Sequence, residues 1–259
     1  MVVMETVLVA FAMFSALPLP QPEWNAGNMR YALCAFPLIG FVCGGLWWGW
    51  SAVCVRLSAP EILRGAGLCL IPVLVTGGIH LDGYADTCDA LASCASPEKK
   101  QEILKDPRCG AFAVIRLCAW FTACFALCAA LEPDGRAVGC MTLAFVLERA
   151  LSGLAVARFP LAKNTGLAHT FATAADRKAV GRILAALCVL IMSGMIALGG
   201  VTGLAMASAG LLVFRHYRVT AIRQFGGLSG DLAGWFLQRA ELWMLGALVA
   251  CQLIERKTL

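Results

Sequence analysis

Charge is scarce in this chain. Only 14% of its 259 residues are Asp, Glu, Lys or Arg, against roughly 25% in soluble domains. That leaves too little polar surface to cover a globular core of this size, so a water-soluble domain is excluded. No basic run is interleaved with aromatics, and nucleic acid is therefore not an expected partner. C-x-x-C pairs are also missing, although there are 13 cysteines. Most of these sit in apolar stretches, as Cys34, Cys43, Cys54, Cys118, Cys124 and Cys128 do. They read as small reduced side chains packed between helices rather than as a thiol metal site or a disulfide framework. The N-terminus opens with an acid, Glu5, so no cleavable secretory signal is expected.

What the chain has in excess is apolar sequence. Residues of the AVILMFWYC set make up 60%, and mean hydropathy is +0.77. With the 26 glycines the apolar share is about 70%, against roughly 45–50% in soluble domains. The expected class is an all-α integral membrane protein, one domain over 1–259, a polytopic helical bundle of about seven to eight membrane segments. Candidate spans lie at 31–55, 65–81, 109–131, 137–157 and 232–254. The stretch 2–17 either spans or enters and returns. The run 183–214 is 32 residues without a charge; as one helix it would extend about 48 Å, well beyond a hydrocarbon core of about 30 Å. Gly199 and Gly200 stand at its middle, and two short spans joined there fit better.

Sidedness supports the division. With eight crossings, the connections 18–30, 92–108, 158–182 (Lys163 among them) and 215–230 share one side and carry 13 basic residues. The opposite side carries 5. The positive-inside rule marks the first side as cytoplasmic. The expected location is the bacterial-type cytoplasmic (inner) membrane.

Three constellations could carry chemistry. In Gly77-Gly78-Ile79-His80-Leu81-Asp82-Gly83-Tyr84-Ala85-Asp86-Thr87-Cys88-Asp89, the acids Asp82, Asp86 and Asp89 fall within about 60° of one another on a helix. Like charges so stacked repel. They make sense against a divalent cation, and hard oxygen ligands with open positions suit Mg²⁺ carrying a phosphate substrate. His80 lies nearly opposite, where a packing or hydrogen-bonding role is as open as catalysis. In Leu104-Lys105-Asp106-Pro107-Arg108-Cys109-Gly110, the cations Lys105 and Arg108 suit phosphate oxygens, and Gly110 allows backbone approach. In Gly226-Gly227-Leu228-Ser229-Gly230-Asp231, turn amides at a helix start suit an anion. This is not a P-loop, since no Gly-Lys-Ser/Thr follows. Glu148 and Arg149 lie deep in an apolar span, where ionisable groups are paired or functional. Adjacent positions point apart on a helix, so each is expected to pair elsewhere. Trp47, Trp48 and Trp50 read as an interfacial belt.

Taken in order, these residues resemble the cobalamin synthase family, the adenosylcobinamide-GDP ribazoletransferases. The likeness also covers Phe14-Ser15-Ala16-Leu17-Pro18-Leu19-Pro20 and Phe36-Pro37-Leu38-Ile39-Gly40. Cys88 and Cys109 stand where other small or aliphatic residues are usual. The resemblance implies a transferase joining adenosylcobinamide-GDP to α-ribazole or its 5′-phosphate, giving adenosylcobalamin or its phosphate and GMP, with Mg²⁺. It implies a metal on Asp82, Asp86 and Asp89, with one of these or Asp106 as base. It implies substrate contacts at His80, Lys105, Arg108, Gly110, Gly227, Gly230 and Asp231. The lipid bilayer is the other partner, and a homo-oligomer is left open. Two further readings compete. A CDP-alcohol phosphatidyltransferase-like enzyme also carries helical aspartates, but its Asp-Gly-x-x-Ala-Arg pattern is not met at Asp82–Asp86. A transporter with intramembrane carboxylates would show inverted repeats, and no convincing internal repeat is visible.

Overall fold

The computed structural model describes residues 2–162 and 165–258, so Lys163 lies outside the described residues. Within these, the chain forms twelve helices: α1 (Val2–Phe14), α2 (Ala26–Met29), α3 (Ala32–Arg56), α4 (Glu61–Thr76), α5 (Ile79–Ala92), α6 (Pro97–Ile103), α7 (Ala111–Ala130), α8 (Gly135–Arg158), α9 (Leu167–Ala174), α10 (Arg177–Gly199), α11 (Val201–Phe225) and α12 (Gly230–Thr258). By length and hydropathy α3, α7, α8 and α10 are each able to cross a membrane. At 13 residues, α1 extends about 20 Å, short of a core of about 30 Å.

The long uncharged run divides as its glycines suggest. α10 ends at Gly199, and Gly200 takes a positive φ of 57° before α11 begins. Gly203 then packs directly on the Met195 carbonyl, a contact that any side chain at 203 would overlap. The two helices are separate legs of a hairpin.

Contacts sort the connections onto two ends of the bundle. At one end Arg64 donates to the Leu131 carbonyl at 2.8 Å, Gln252 donates to the Glu132 carbonyl at 2.9 Å, and Arg256 pairs with Glu132. Thr202 meets Glu255 there too. At the other end Ala16 N–H donates to the Val75 carbonyl, Arg30 pairs with Asp176, and Lys100 donates to Gln224. The second end holds the connections richer in basic residues.

α8 runs through the middle, buried along most of its length. Gly40 of α3 sits so close to it that a Cβ would lie 2.5 Å from the Phe145 carbonyl oxygen, and Gly44 meets Thr142 in the same way. Small residues at such crossings let backbones approach, which is how helices pack where apolar burial alone gives no preference.

Three expectations are corrected here. Glu148 and Arg149 pair with each other, at 2.7 Å, with both side chains 1% exposed. The arginine is long enough to reach back around its own helix, where it also donates to the Phe145 carbonyl. A buried charge with an adjacent opposite charge takes that partner at once. Trp47 is buried and donates to the Leu68 carbonyl at 2.7 Å, and Trp50 donates to the Arg64 carbonyl at 3.0 Å. They tie α3 to α4, and only the exposed Trp48 suits a belt. The third correction concerns the span read at 65–81. Gly77 and Gly78 both adopt left-handed conformations, with φ of 65° and 81°, which non-glycine residues adopt only at a cost. α4 stops there, and α5 leaves at 94° to it. Most of the thirteen cysteines are buried, as their apolar settings suggest, while Cys118 is exposed on α7.

Candidate active site

The bend at Gly77–Gly78 carries the acidic sequence across the end of the bundle. α5 buries Leu81, Tyr84, Ala85, Thr87 and Cys88 and leaves Asp82 exposed, with Asp86 and Asp89 partly so. Its backbone presses against α12 at two places. A Cβ at Gly83 would lie 2.8 Å from Cα of Asp231, and one at Gly234 would lie 2.7 Å from the His80 carbonyl oxygen. This brings Asp231 beside a helix nearly 150 positions earlier in the chain. The charges of Asp82, Asp231 and Asp89 all bear on Asp86. The sequence-predicted acids and Asp231 therefore form one face.

Asp89 has a second attachment. Its Oδ1 accepts the Ala113 N–H at 3.3 Å, which satisfies one of the unpaired amides at the start of α7. Gly110 leaves the room this needs, since a Cβ there would overlap the Asp89 carboxylate. Gly110 therefore accommodates Asp89 rather than a ligand. The spacing of the three acids does not by itself show this folding role for Asp89.

A cavity of about 290 Å³ opens beside the face. Asp82, Asp231 and Gly230 stand in its wall, and apolar side chains including Phe14, Phe36, Val156, Phe171 and Leu237 line the rest. His80 joins them, buried, with its Nε2 lacking a hydrogen-bond partner and its ring edge-on to Phe36. A neighbouring cavity of about 310 Å³ shares Gly230 and Asp231 and adds Lys105, Gln101 and Ser229. Lys105 and the glycine turn thus line one cavity.

The turn is built from both sides. Leu228 N–H donates to the Pro160 carbonyl, and Ala162 N–H donates to the Leu228 carbonyl at 2.9 Å. Gly227 has φ of 156°, and a Cβ there would stand 2.5 Å from the Leu161 carbonyl carbon. Its missing side chain is thus filled by neighbouring backbone, not by a substrate as the sequence suggested. Ser229 Oγ accepts the Leu232 N–H and caps α12. Gly230 has open space where a side chain would be.

Asp106 and Arg108 are placed differently. Arg108 Nε and Nη2 donate to the two oxygens of Asp106 at 2.9 and 2.7 Å, and its backbone N–H donates as well. These bonds to Arg108 hold the Asp106 carboxyl down at about 2. The Arg108 side chain is 86% exposed and turned to Asp106, so the structure does not bring it onto the acidic face.

The acids offer hard oxygen donors and no thiol or imidazole. Among the described residues no three His, Cys, Asp or Glu side chains stand close enough to ligate one ion together. Asp82, Asp86 and Asp89 are thus not brought together as the three-carboxylate ligand set that their spacing suggests. Mg²⁺ is held by one or two carboxylates while waters and substrate phosphate oxygens complete its octahedron. An open acidic face beside a cavity and a lysine fits this mode.

A family model described as cobalamin-5-phosphate synthase matches residues 6–249. The chain is 41% identical to an adenosylcobinamide-GDP ribazoletransferase of Lachnoclostridium phytofermentans, over 92% of this chain and 91% of that one. It is 30% identical to a protein of the same name from Clostridium botulinum strain Eklund 17B, over 95% and 96%. With the Pseudomonas savastanoi pv. phaseolicola protein of that name it shares 32% identity, over 92% and 96%. No solved structure matches the chain significantly.

Proposed function

From the premise that the chain belongs to the cobalamin-5-phosphate synthase family and is a transferase of cobalamin synthesis, we propose that it joins adenosylcobinamide-GDP to α-ribazole or its 5′-phosphate and releases GMP. The observation that carries this reading is the meeting of Asp82 of α5 with Asp231 of α12 in the wall of an apolar cavity, with Asp86 and Asp89 further along α5. Phosphoryl transfer needs charge stabilisation and alignment more than covalent chemistry from the protein. The cavity suits the flat apolar base of a ribazole, and the buried Nε2 of His80 is the polar group that would orient it. Lys105, in the wall of the cavity that the glycine turn also lines, would attract phosphate oxygens as a point charge.

One or two of Asp82, Asp86 and Asp89 would hold Mg²⁺, which when bound would neutralise charge on the pyrophosphate. A ribazole hydroxyl oxygen attacks the phosphorus linked to cobinamide. Its proton passes to a carboxylate of the acidic face. The bond from that phosphorus to the bridging pyrophosphate oxygen breaks, and GMP departs with the electron pair. Asp106 is a poor base here, because Arg108 already occupies both its oxygens. The active site faces the cytoplasm in this reading, on the end that gathers the basic connections.

The test is product identity. Membranes containing the protein, given adenosylcobinamide-GDP and α-ribazole phosphate, should yield the complete cobamide phosphate and GMP in equal amounts. Uptake of a corrinoid into proteoliposomes without GMP release would favour a transporter instead.

A further inference from the structure

A second polar pocket lies on the other side of α5 from the acids. Tyr84, about 200° around the helix from Asp82, lines it with Arg116 of α7, His216 of α11, and Trp235 and Arg239 of α12. Its volume is about 270 Å³. The Arg239 guanidinium lies over the Trp235 ring at 4.8 Å, and His216 packs on the same indole at 5.6 Å. The buried Nε of Arg239 has no hydrogen-bond partner. The charged group that bears on Arg239 is another cation, Arg116, and among the described residues no carboxylate pairs with either arginine. Two guanidiniums lining one pocket without an acid lack a counter-anion.

The position of the pocket says what kind of anion. Arg116 is about 9 Å along α7 from Gly110, and Arg239 about 14 Å along α12 from its start, at 1.5 Å per residue. Both distances run from the end of the bundle that carries the acidic face. The surface around the pocket is apolar and exposed, at Phe112 and Ile115 of α7, Leu212 and Val219 of α11, and Trp243 of α12. In a membrane protein such a surface faces acyl chains. From that depth the half-buried Arg239 and the exposed Arg116 extend their long side chains toward the headgroup level of one leaflet, where basic interhelical pockets take anionic lipid heads. Arginine also suits phosphate, offering two parallel donors to two oxygens.

We propose that this pocket binds the phosphate of an anionic membrane phospholipid, with Arg116 and Arg239 as its ligands and the indole of Trp235 as the platform that fixes Arg239. The site is separate from the acidic face. A lipid there would brace α5 against α7, α11 and α12 from the side opposite the aspartates.

The experiment is thermal unfolding of the detergent-purified, delipidated protein with added phosphatidylglycerol, phosphatidylcholine or inorganic phosphate. Phosphatidylglycerol is expected to raise Tm by about 4 °C, and the other two by much less. The double variant R116Q/R239Q should lose the shift. R116K/R239K should keep much of it, and R215Q, an exposed arginine outside the pocket, all of it. Should the double glutamine variant not fold, R116Q alone, on the exposed face of α7, should weaken phosphatidylglycerol binding about tenfold. An equal shift with phosphatidylcholine overturns the anionic site, and an equal shift with inorganic phosphate overturns the lipid as its occupant. An unchanged phosphatidylglycerol affinity in R116Q overturns the assignment of the arginines.

Discussion

Gly110 makes room for the carboxylate of Asp89, which in turn accepts the Ala113 N–H at the start of α7. One acid of the candidate site thus holds two helices in register. A methyl group at 110 has to displace either the carboxylate or the helix. Gly110→Ala should cost about 1–3 kcal/mol of stability, as overpacking does, and should lower transferase activity at least in proportion. Unfolding curves and GMP release measured on the same preparation check both.

Asp82→Asn, Asp86→Asn and Asp89→Asn keep volume and remove charge. Each should reduce turnover on the order of a hundredfold, the scale expected when a carboxylate acting as base or charge carrier is lost. Asp89→Asn should fold normally, because an amide oxygen still accepts the α7 amide and asparagine caps about as well as aspartate. Asp176→Asn, in the loop before α10 and paired with Arg30, is the control and should retain activity. Normal turnover in any two of the three variants would remove the acidic face from the mechanism.

Asp106 offers a test through pH. Its carboxyl is held down at about 2 by Arg108, a depressed value. The pair is therefore intact above the ordinary carboxylate range and lost only as pH falls through about 2. At neutral pH Asp106 stays ionised and bound to Arg108. The acidic limb of the pH–rate profile should lie at the same pH in Asp106→Asn as in the parent protein. A shifted limb would make Asp106 the base.

The contact between α5 and α12 should be as sensitive as the acids. Gly83→Ala places a methyl 2.8 Å from the Asp231 backbone and should push the helices apart, with a loss of activity larger than the loss of stability. Asp231→Asn should impair turnover without unfolding. A thiol at Ser229→Cys, in a background without reactive cysteines, should label from the cytoplasmic side, and labelling from the opposite side would place the glycine turn away from a nucleotide substrate.

Much of this arrangement is legible in the residues alone. Gly199 and Gly200 in an uncharged run too long for one span announce the α10–α11 hairpin, and that hairpin returns Asp231 to the end that holds Asp82. The bend before α5 is less visible, because Gly77 and Gly78 lie inside a hydropathy run that counts as a span whether or not the chain turns. The Glu148–Arg149 pair escapes a rule about where adjacent Cβ atoms point, since arginine reaches past its own position. Gly110 and Gly227 look like ligand-facing glycines in sequence. What fills their missing side chains, Asp89 in one case and the Leu161 backbone in the other, is a matter of tertiary packing that no local pattern encodes. The pocket of Arg116 and Arg239 is likewise invisible, its residues drawn from four helices.

The most direct measurement is GMP release by the purified protein in liposomes as Mg²⁺ is titrated, with adenosylcobinamide-GDP and α-ribazole phosphate both saturating. The rate should be negligible in chelator, rise to saturation with Mg²⁺, and need about tenfold more Mg²⁺ or more when Asp86 is asparagine. A rate that is the same in chelator as in saturating Mg²⁺ would contradict the account.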